Sequence, residues 1–130
     1  MPPVRFYNSC VTVRRLKTYT GSQGYVYQYY FVGSRPASAG YPGPPATEYV
    51  FDVTSDRKTT FSVSVFLQQD AVSEWTTRHR RNLTEAERYA GVKLRLFRGF
   101  DEIESMMAEG RSLAIDAPLL ENLLSAVDVT

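Results

Sequence analysis

The sequence predicts an α+β fold, in which helices pack on one face of a four- to five-stranded antiparallel sheet made of two consecutive hairpins. Three observations lead to this prediction. Residues 49–53 and 60–67 alternate apolar and polar side chains with the period of two that half-buried strands show. After about residue 70, the apolar positions follow the 3.6-residue period of a helix. Residues 84–87 have the spacing of a capping box, which marks a helix start.

Size and composition indicate one globular domain spanning residues 1–130. The chain has 43% hydrophobic and 22% charged residues, and both values are ordinary for such a domain. The only cysteine, Cys10, excludes an intramolecular disulfide, which fits a reducing compartment. We find no secretory signal, and no run approaches the ~18 apolar residues of a membrane-spanning helix. We therefore expect a cytoplasmic protein that does not enter a membrane.

The first predicted hairpin joins residues 11–19 to residues 25–32 through a turn flanked by glycines. The second of these strands carries aromatic or apolar side chains on both faces. Such a strand either lies in the centre of a sheet or presents its tyrosines to a partner.

A long surface loop is predicted next, because residues 33–46 contain four prolines and three glycines. The second hairpin follows, with its strands at residues 49–53 and 60–67. One face of the resulting sheet is apolar and needs a cover, which we expect the helices to provide.

Three helices and one short strand are predicted in the second half of the chain. Asp70 is the expected N-cap of the first helix, and Thr84 caps the second. Lys93 falls within the apolar arc of that second helix, where we expect it to extend its amine to the sheet edge rather than to form a buried functional amine. Residues 113–115 predict a short fifth strand, and Asp116 the cap of a last helix.

Charge is distributed unevenly along the chain. Residues 1–100 have a net charge of +7, whereas the acidic segment of residues 101–130 has a net charge of −6. This asymmetry fits either a basic binding face with an acidic tail, or a tail that packs against the basic helix and neutralises it. We favour the second interpretation.

Few residues in this sequence occur in patterns that could support catalysis. His79 is the only histidine and lies among three arginines, whose positive charges would repel metal ions. We therefore expect no metal site, no cofactor and no catalytic residues, and the protein is more plausibly a binding protein than an enzyme. A pair of carboxylates, or a site at Lys93, that only the fold assembles would leave no pattern in the sequence.

Basic residues alternate with aromatic ones in a way that favours binding. Single-stranded nucleic-acid binders combine stacking rings with cationic side chains on one sheet face. The candidate binding residues are Arg14, Arg15, Lys17, Tyr25, Tyr27, Tyr29, Tyr30, Arg78, Arg80 and Arg81.

Three binding functions remain open. The first, which we slightly favour, is a non-catalytic interaction module that forms a homodimer or binds a protein partner through an aromatic sheet face. The second is binding of single-stranded nucleic acid through the first hairpin. The third is binding of a small ligand between the sheet and a helix.

Overall fold

The computed structural model describes residues 16–22, 24–37 and 41–130. These residues form an α+β structure with a five-stranded mixed sheet and four helices. In chain order, the elements are β1 (Lys17–Thr20), β2 (Val26–Pro36), β3 (Ala46–Thr54), β4 (Phe61–Gln68), α1 (Gln69–His79), α2 (Glu85–Glu102), α3 (Met106–Glu109), β5 (Ser112–Ile115) and α4 (Ala117–Ala126). Most of the predicted first strand lies outside the described residues.

The strand order is β1-β2-β3-β4-β5, and each neighbouring pair among the first four strands is antiparallel. The second predicted hairpin is thereby confirmed, and Lys17–Thr20, the described part of the first, pairs antiparallel with β2. The prediction of a wholly antiparallel sheet is wrong for β5, which pairs parallel to β4, with Leu113 opposite Val65. A parallel neighbour requires a long crossover connection, and the helices between Gln69 and Glu109 provide it.

Strand β2 extends further than the sequence predicts. It continues through Pro36, which lies opposite Thr47, so the connection to β3 begins at residue 37 rather than at Gly33. The register shifts between Phe31 and Gly33. Proline fits extended backbone and removes only one ladder hydrogen bond, so it is tolerated at the end of this strand.

The strand register defines two faces of the sheet, because residues directly opposite each other point to the same side. We call the first the core face. Its buried residues include Tyr27, Tyr29, Tyr49, Phe51, Val53, Phe61, Val63, Val65, Leu67, Leu113 and Ile115. The same buried cluster contains Trp75 of α1, Leu96 and Phe100 of α2, and Leu120 of α4. The opposite side, which we call the second face, carries Glu48, Asp52 and Ser64.

The helix starts follow the predicted caps with one exception. Thr84 Oγ1 accepts a hydrogen bond from Glu87 N (3.1 Å), and Glu87 Oε1 accepts one from Thr84 N (2.9 Å), which confirms the capping box. Asp116 likewise accepts from Leu119 N at the start of α4. Asp70 is not a cap, because α1 follows β4 directly and Gln68 occupies the N-cap position. Asp70 lies in the first turn, where its negative charge interacts favourably with the helix dipole.

Besides the pairing of β5 with β4, two acidic side chains of residues 101–130 bind groups earlier in the chain. Glu121 of α4 accepts from His79 Nε2, at 2.9 and 3.0 Å from its two oxygens. Asp101 accepts from the Tyr19 hydroxyl (2.9 Å) and from Ser22 N (2.8 Å). These contacts support the interpretation that the segment packs back on the domain. None of the described helices is long and apolar enough to cross a membrane.

Candidate functional site

The four candidate tyrosines do not form a single row. Tyr27 and Tyr29 are only 2% and 3% exposed on the core face, where Tyr27 stacks on Phe100 with ring centroids 4.2 Å apart. Burial raises the pKa of both hydroxyls. Tyr30 points to the second face and donates to Asp52 Oδ2 (2.7 Å), while Tyr25 is 48% exposed. The buried pair therefore offers no ring face to a nucleic-acid base.

The candidate arginines lie at the end of α1, apart from Arg14 and Arg15, which are outside the described residues. Arg81 lies over the Trp75 ring, 5.0 Å from its centroid, and donates to both carboxylate oxygens of Glu87 (2.9 and 3.0 Å). Arg78 is 3.9 Å from Glu121, and Arg80 is exposed in the left-handed conformation that ends the helix.

The structure does not bring the arginines and the hairpin tyrosines together. Arg81 pairs with Glu87 near the start of α2, whereas the buried tyrosines contact Phe97 and Phe100 near its end. Ten or more residues of helix separate these contacts, which is about 15 Å along the axis. The predicted continuous surface of rings and arginines is therefore divided into separate regions.

Lys17 and Lys93 interact electrostatically instead. Lys17 lies opposite Tyr29 in the register, which places its side chain on the core-face side of β1 at the edge of the described sheet. The partly buried Lys93 amine lies 5.8 Å from the centroid of the Tyr89 ring and 5.7 Å from that of Phe97. Burial lowers the pKa of Lys93, and the charge of Lys17 lowers it further.

Partly buried aromatic rings lie around Lys93. Phe31 packs on Tyr89 with ring centroids 5.0 Å apart, and Tyr19 stacks on Phe97 at 4.4 Å with the rings nearly parallel. Burial and the nearby Tyr29 raise the pKa of Tyr89 to about 12, so its hydroxyl stays protonated and can donate a hydrogen bond. We call Lys17, Phe31, Tyr89, Lys93 and Phe97 the lysine–aromatic cluster.

Neither lysine of this cluster has an acidic partner among residues 16–22, 24–37 and 41–130. Ion pairs in this part of the chain join Arg35 to Glu48, Arg81 to Glu87 and other arginines to acidic residues, but none includes Lys17 or Lys93. The two cations repel each other, and partial burial of Lys93 raises the cost of its charge, whereas Lys17 is exposed. A perturbed cation without a partner is a candidate for a functional site.

One member of this cluster is partly indicated by the sequence. Lys93 stands out in the sequence as a charged residue within an apolar helical arc, and its extension to the sheet edge stays a prediction. The electrostatic interaction of Lys93 with Lys17, 76 positions earlier in the chain, could not be predicted, because no local sequence pattern connects a strand residue to a distant helix.

The second face holds two carboxylates on β3. Glu48, 8% exposed, accepts from Arg35 Nε (2.9 Å) and from Ser64 Oγ (2.6 Å). Asp52 accepts from Tyr30 and lies four residues along the strand, or about 13 Å away. The two carboxylates are therefore too far apart to share a proton or a metal ion. No group of three His, Cys, Asp or Glu side chains in the described part of the chain could hold a metal.

A shallow hollow of about 320 Å³ lies at one end of the sheet, beside the turn between β3 and β4. It is lined by Val26, Gln28, Thr54, Ser55, Asp56 and Arg57. Asp56 is already engaged in its own turn, since it accepts from the backbone amides of Lys58 and Thr59.

Comparison with known proteins gives no relative. No protein-family model matches the chain, and no curated protein or solved structure matches it either. The function must be argued from the geometry described above.

Proposed function

We propose that this protein binds a small aromatic anion at the lysine–aromatic cluster, between the first hairpin and α2. The observation that carries the proposal is the pair of lysines without acidic partners, Lys17 and Lys93, beside partly exposed rings. The proposal corresponds to the third of the three binding functions that the sequence leaves open.

The side chains of the cluster can bind both the anionic group and the aromatic ring of such a ligand. A carboxylate or phosphate oxygen between the two ammonium groups would relieve their repulsion and accept charge-assisted hydrogen bonds. A planar ring on the same molecule could pack on Phe31, Tyr89 or Phe97 in an offset or edge-to-face arrangement. The protonated Tyr89 hydroxyl provides a further donor.

The test is calorimetric titration with benzoate, benzyl alcohol and cyclohexanecarboxylate. We expect benzoate to bind more tightly than benzyl alcohol, which lacks the charge, and more tightly than cyclohexanecarboxylate, which lacks the aromatic ring. Lys93→Met keeps the length of the side chain and removes its charge. We expect this variant to weaken benzoate binding about fivefold, because a partly exposed charge pair contributes about 1 kcal/mol.

Lys58→Met is the matched control, because Lys58 is exposed in the turn between β3 and β4 and does not belong to the cluster. It should bind benzoate as the unaltered protein does. Equal weakening in both lysine variants, or equal affinity for benzoate and benzyl alcohol, would contradict the proposal.

The other two binding functions stay predictions, as does the cytoplasmic location. A protein partner or a second copy would have exposed Leu16, Tyr25 and Val26 of the first hairpin as its contact residues. Binding of a single-stranded oligonucleotide with an affinity that falls steeply with salt would favour the nucleic-acid hypothesis over the small anion.

A further inference from the structure

We propose that the hollow beside the turn between β3 and β4 binds a free α-amino acid with an apolar side chain, in its zwitterionic form. The inference goes beyond the proposed function and concerns a different site, because the hollow is lined by Gln28 and Thr54 of the second face and shares no residue with the lysine–aromatic cluster. The arrangement that carries it is a carboxylate on Asp56 and a guanidinium on Arg57, which line one hollow together with the exposed Val26 and form no ion pair with each other.

The turn between β3 and β4 holds the Asp56 carboxylate in place. Its Oδ1 accepts hydrogen bonds from the backbone amides of Lys58 (2.8 Å) and Thr59 (2.9 Å) and from the Thr54 hydroxyl (3.2 Å). All three bonds end on the same oxygen, so Oδ2 is the acceptor for an ammonium group of a ligand. The amides of Thr59 and Lys58 lower the pKa of Asp56, and the carboxylate is therefore charged at neutral pH. A carboxylate that is positioned before binding loses little freedom when a ligand arrives.

The guanidinium of Arg57 supplies the opposite charge. Arg57 directly follows Asp56 and both residues line the hollow, yet no ion pair within the described residues includes either of them. Each charge is therefore available to a ligand group of the opposite sign. Arg57 also has a φ of 64°, in the left-handed region that residues other than glycine rarely adopt. An arginine in this strained conformation points to a role for its side chain.

The size and lining of the hollow determine which ligand fits. Its volume of about 320 Å³ lies at the lower end of the roughly 300–1,000 Å³ of small-molecule sites, which suits one amino acid. An α-ammonium group facing Asp56 and an α-carboxylate facing Arg57 would satisfy both charges with one molecule. Val26 is 45% exposed and offers an apolar contact to the side chain of the ligand, because burying both apolar surfaces is favourable.

The test is a titration of the isotope-labelled protein with L-leucine, followed through the backbone amide signals in NMR spectra. Two analogues each lack one charge: 4-methylpentanoate has no ammonium group, and 3-methylbutylamine has no carboxylate. We expect leucine to shift the signals of the residues that line the hollow, with saturation at millimolar concentrations, because exposed ion pairs are individually weak. Each analogue should bind about three- to fivefold more weakly than leucine, which corresponds to the loss of one such pair.

Two substitutions remove the charges of the hollow one at a time. Asp56→Asn keeps an oxygen that can accept from the turn amides, and glycine suits the positive φ at position 57, so Asp56→Asn and Arg57→Gly should both stay folded. Asp56→Asn should weaken binding of leucine about three- to fivefold but not binding of 4-methylpentanoate, which has no ammonium group. Arg57→Gly should weaken binding of leucine to a similar degree but not binding of 3-methylbutylamine, which has no carboxylate.

Lys58→Met is the matched control, because it removes a cation from the same turn at a residue that does not line the hollow. It should leave the binding of leucine unchanged. Equal weakening by Arg57→Gly and Lys58→Met, equal affinity for leucine and either analogue, or leucine-induced shifts that miss the residues of the hollow would each overturn the inference. The binding of benzoate should be the same in Asp56→Asn, Arg57→Gly and the unaltered protein, so the outcome for this hollow is independent of the outcome for the lysine–aromatic cluster.

Discussion

At the scale of single residues, Glu48 stabilises the second face of the sheet by binding side chains of two neighbouring strands. Its side chain is 10% exposed, and it joins three strands by accepting from Arg35 of β2 and Ser64 of β4. Burial alone would raise the pKa of Glu48, but the hydrogen bonds from Arg35 and Ser64 outweigh it, and the net pKa is lowered. The ionised form therefore stabilises the folded protein.

Glu48→Gln should lower the free energy of unfolding by about 1–2 kcal/mol at pH 7, because it replaces a charge-assisted hydrogen bond with a neutral one. The folded-state pKa lies below the ordinary value of 4.5, so this stability is present above pH 4.5 and is lost as the pH falls through the folded-state pKa. Urea denaturation from pH 7 to pH 3 should show the variant approaching the unaltered protein below pH 4.5.

Glu74→Gln is the matched control, because Glu74 is exposed on α1 and has no ion pair among the described residues. It should change stability by less than about 0.5 kcal/mol. A difference between Glu48→Gln and the unaltered protein that stayed constant down to pH 3 would contradict the assignment of the stability to this carboxylate.

At the scale of elements, helix α2 has two different sides. One side carries Tyr89, Lys93 and Phe97 at intervals of four residues toward the first hairpin. The other side contains Gly91 and Gly99, where a Cβ atom would lie 3.3 Å from Leu124 and 3.2 Å from Leu113, respectively. The glycines thus let α4 and β5 approach closely, while the four-residue repeat places the lysine beside the sheet.

The start of α2 should depend on its capping box. Thr84→Ala removes the hydroxyl that accepts from Glu87 N, and we expect a loss of about 1 kcal/mol in the free energy of unfolding. Thr77→Ala, at an exposed position inside α1, is the control and should cost no more than about 0.5 kcal/mol. Chemical denaturation measures both, and an equal loss in both variants would argue against the cap.

At the scale of the whole molecule, the last helix and the sheet share one buried cluster. Leu123 of α4 is fully buried in the same cluster as Trp75 of α1 and Phe51 of β3. Leu123→Ala should therefore lower the free energy of unfolding by about 2–5 kcal/mol. The transition followed by Trp75 fluorescence should coincide with that followed by circular dichroism, as for one cooperative unit.

The control for Leu123→Ala is Val127→Ala, because Val127 follows α4 and is 38% exposed. It should change stability by less than about 0.5 kcal/mol. Two separate midpoints from fluorescence and circular dichroism would contradict the single unit that the sequence predicts for residues 1–130.

Features with local causes were predictable from the sequence. The alternation in β3 and β4 reflects neighbouring side chains, and the Thr84 cap depends on a spacing of three residues. Two errors had non-local causes. The parallel direction of β5 follows from the crossover before it, and the extension of β2 to Pro36 depends on pairing with Thr47.

The candidate site was less predictable than the fold. Lys17 and Tyr29 were recognised as candidates, but their roles depend on the helix that packs beside them. Alternation alone assigns a ring to one side of a strand and does not say which side is covered. Tyr27 and Tyr29 are buried against Phe100 and Phe97, so they do not lie on the exposed surface. The lysines lie at the edge of that surface.

The parallel pairing of β5 has a consequence for synthesis of the chain. Strand β4 ends at Gln68, but its neighbour on that side begins only at Ser112, so more than forty further residues must leave the ribosome before this edge acquires its partner. During that interval, an apolar strand with free backbone amides and carbonyls is a template for intermolecular pairing. Premature termination before Ser112 would therefore yield an aggregating fragment rather than a smaller folded protein.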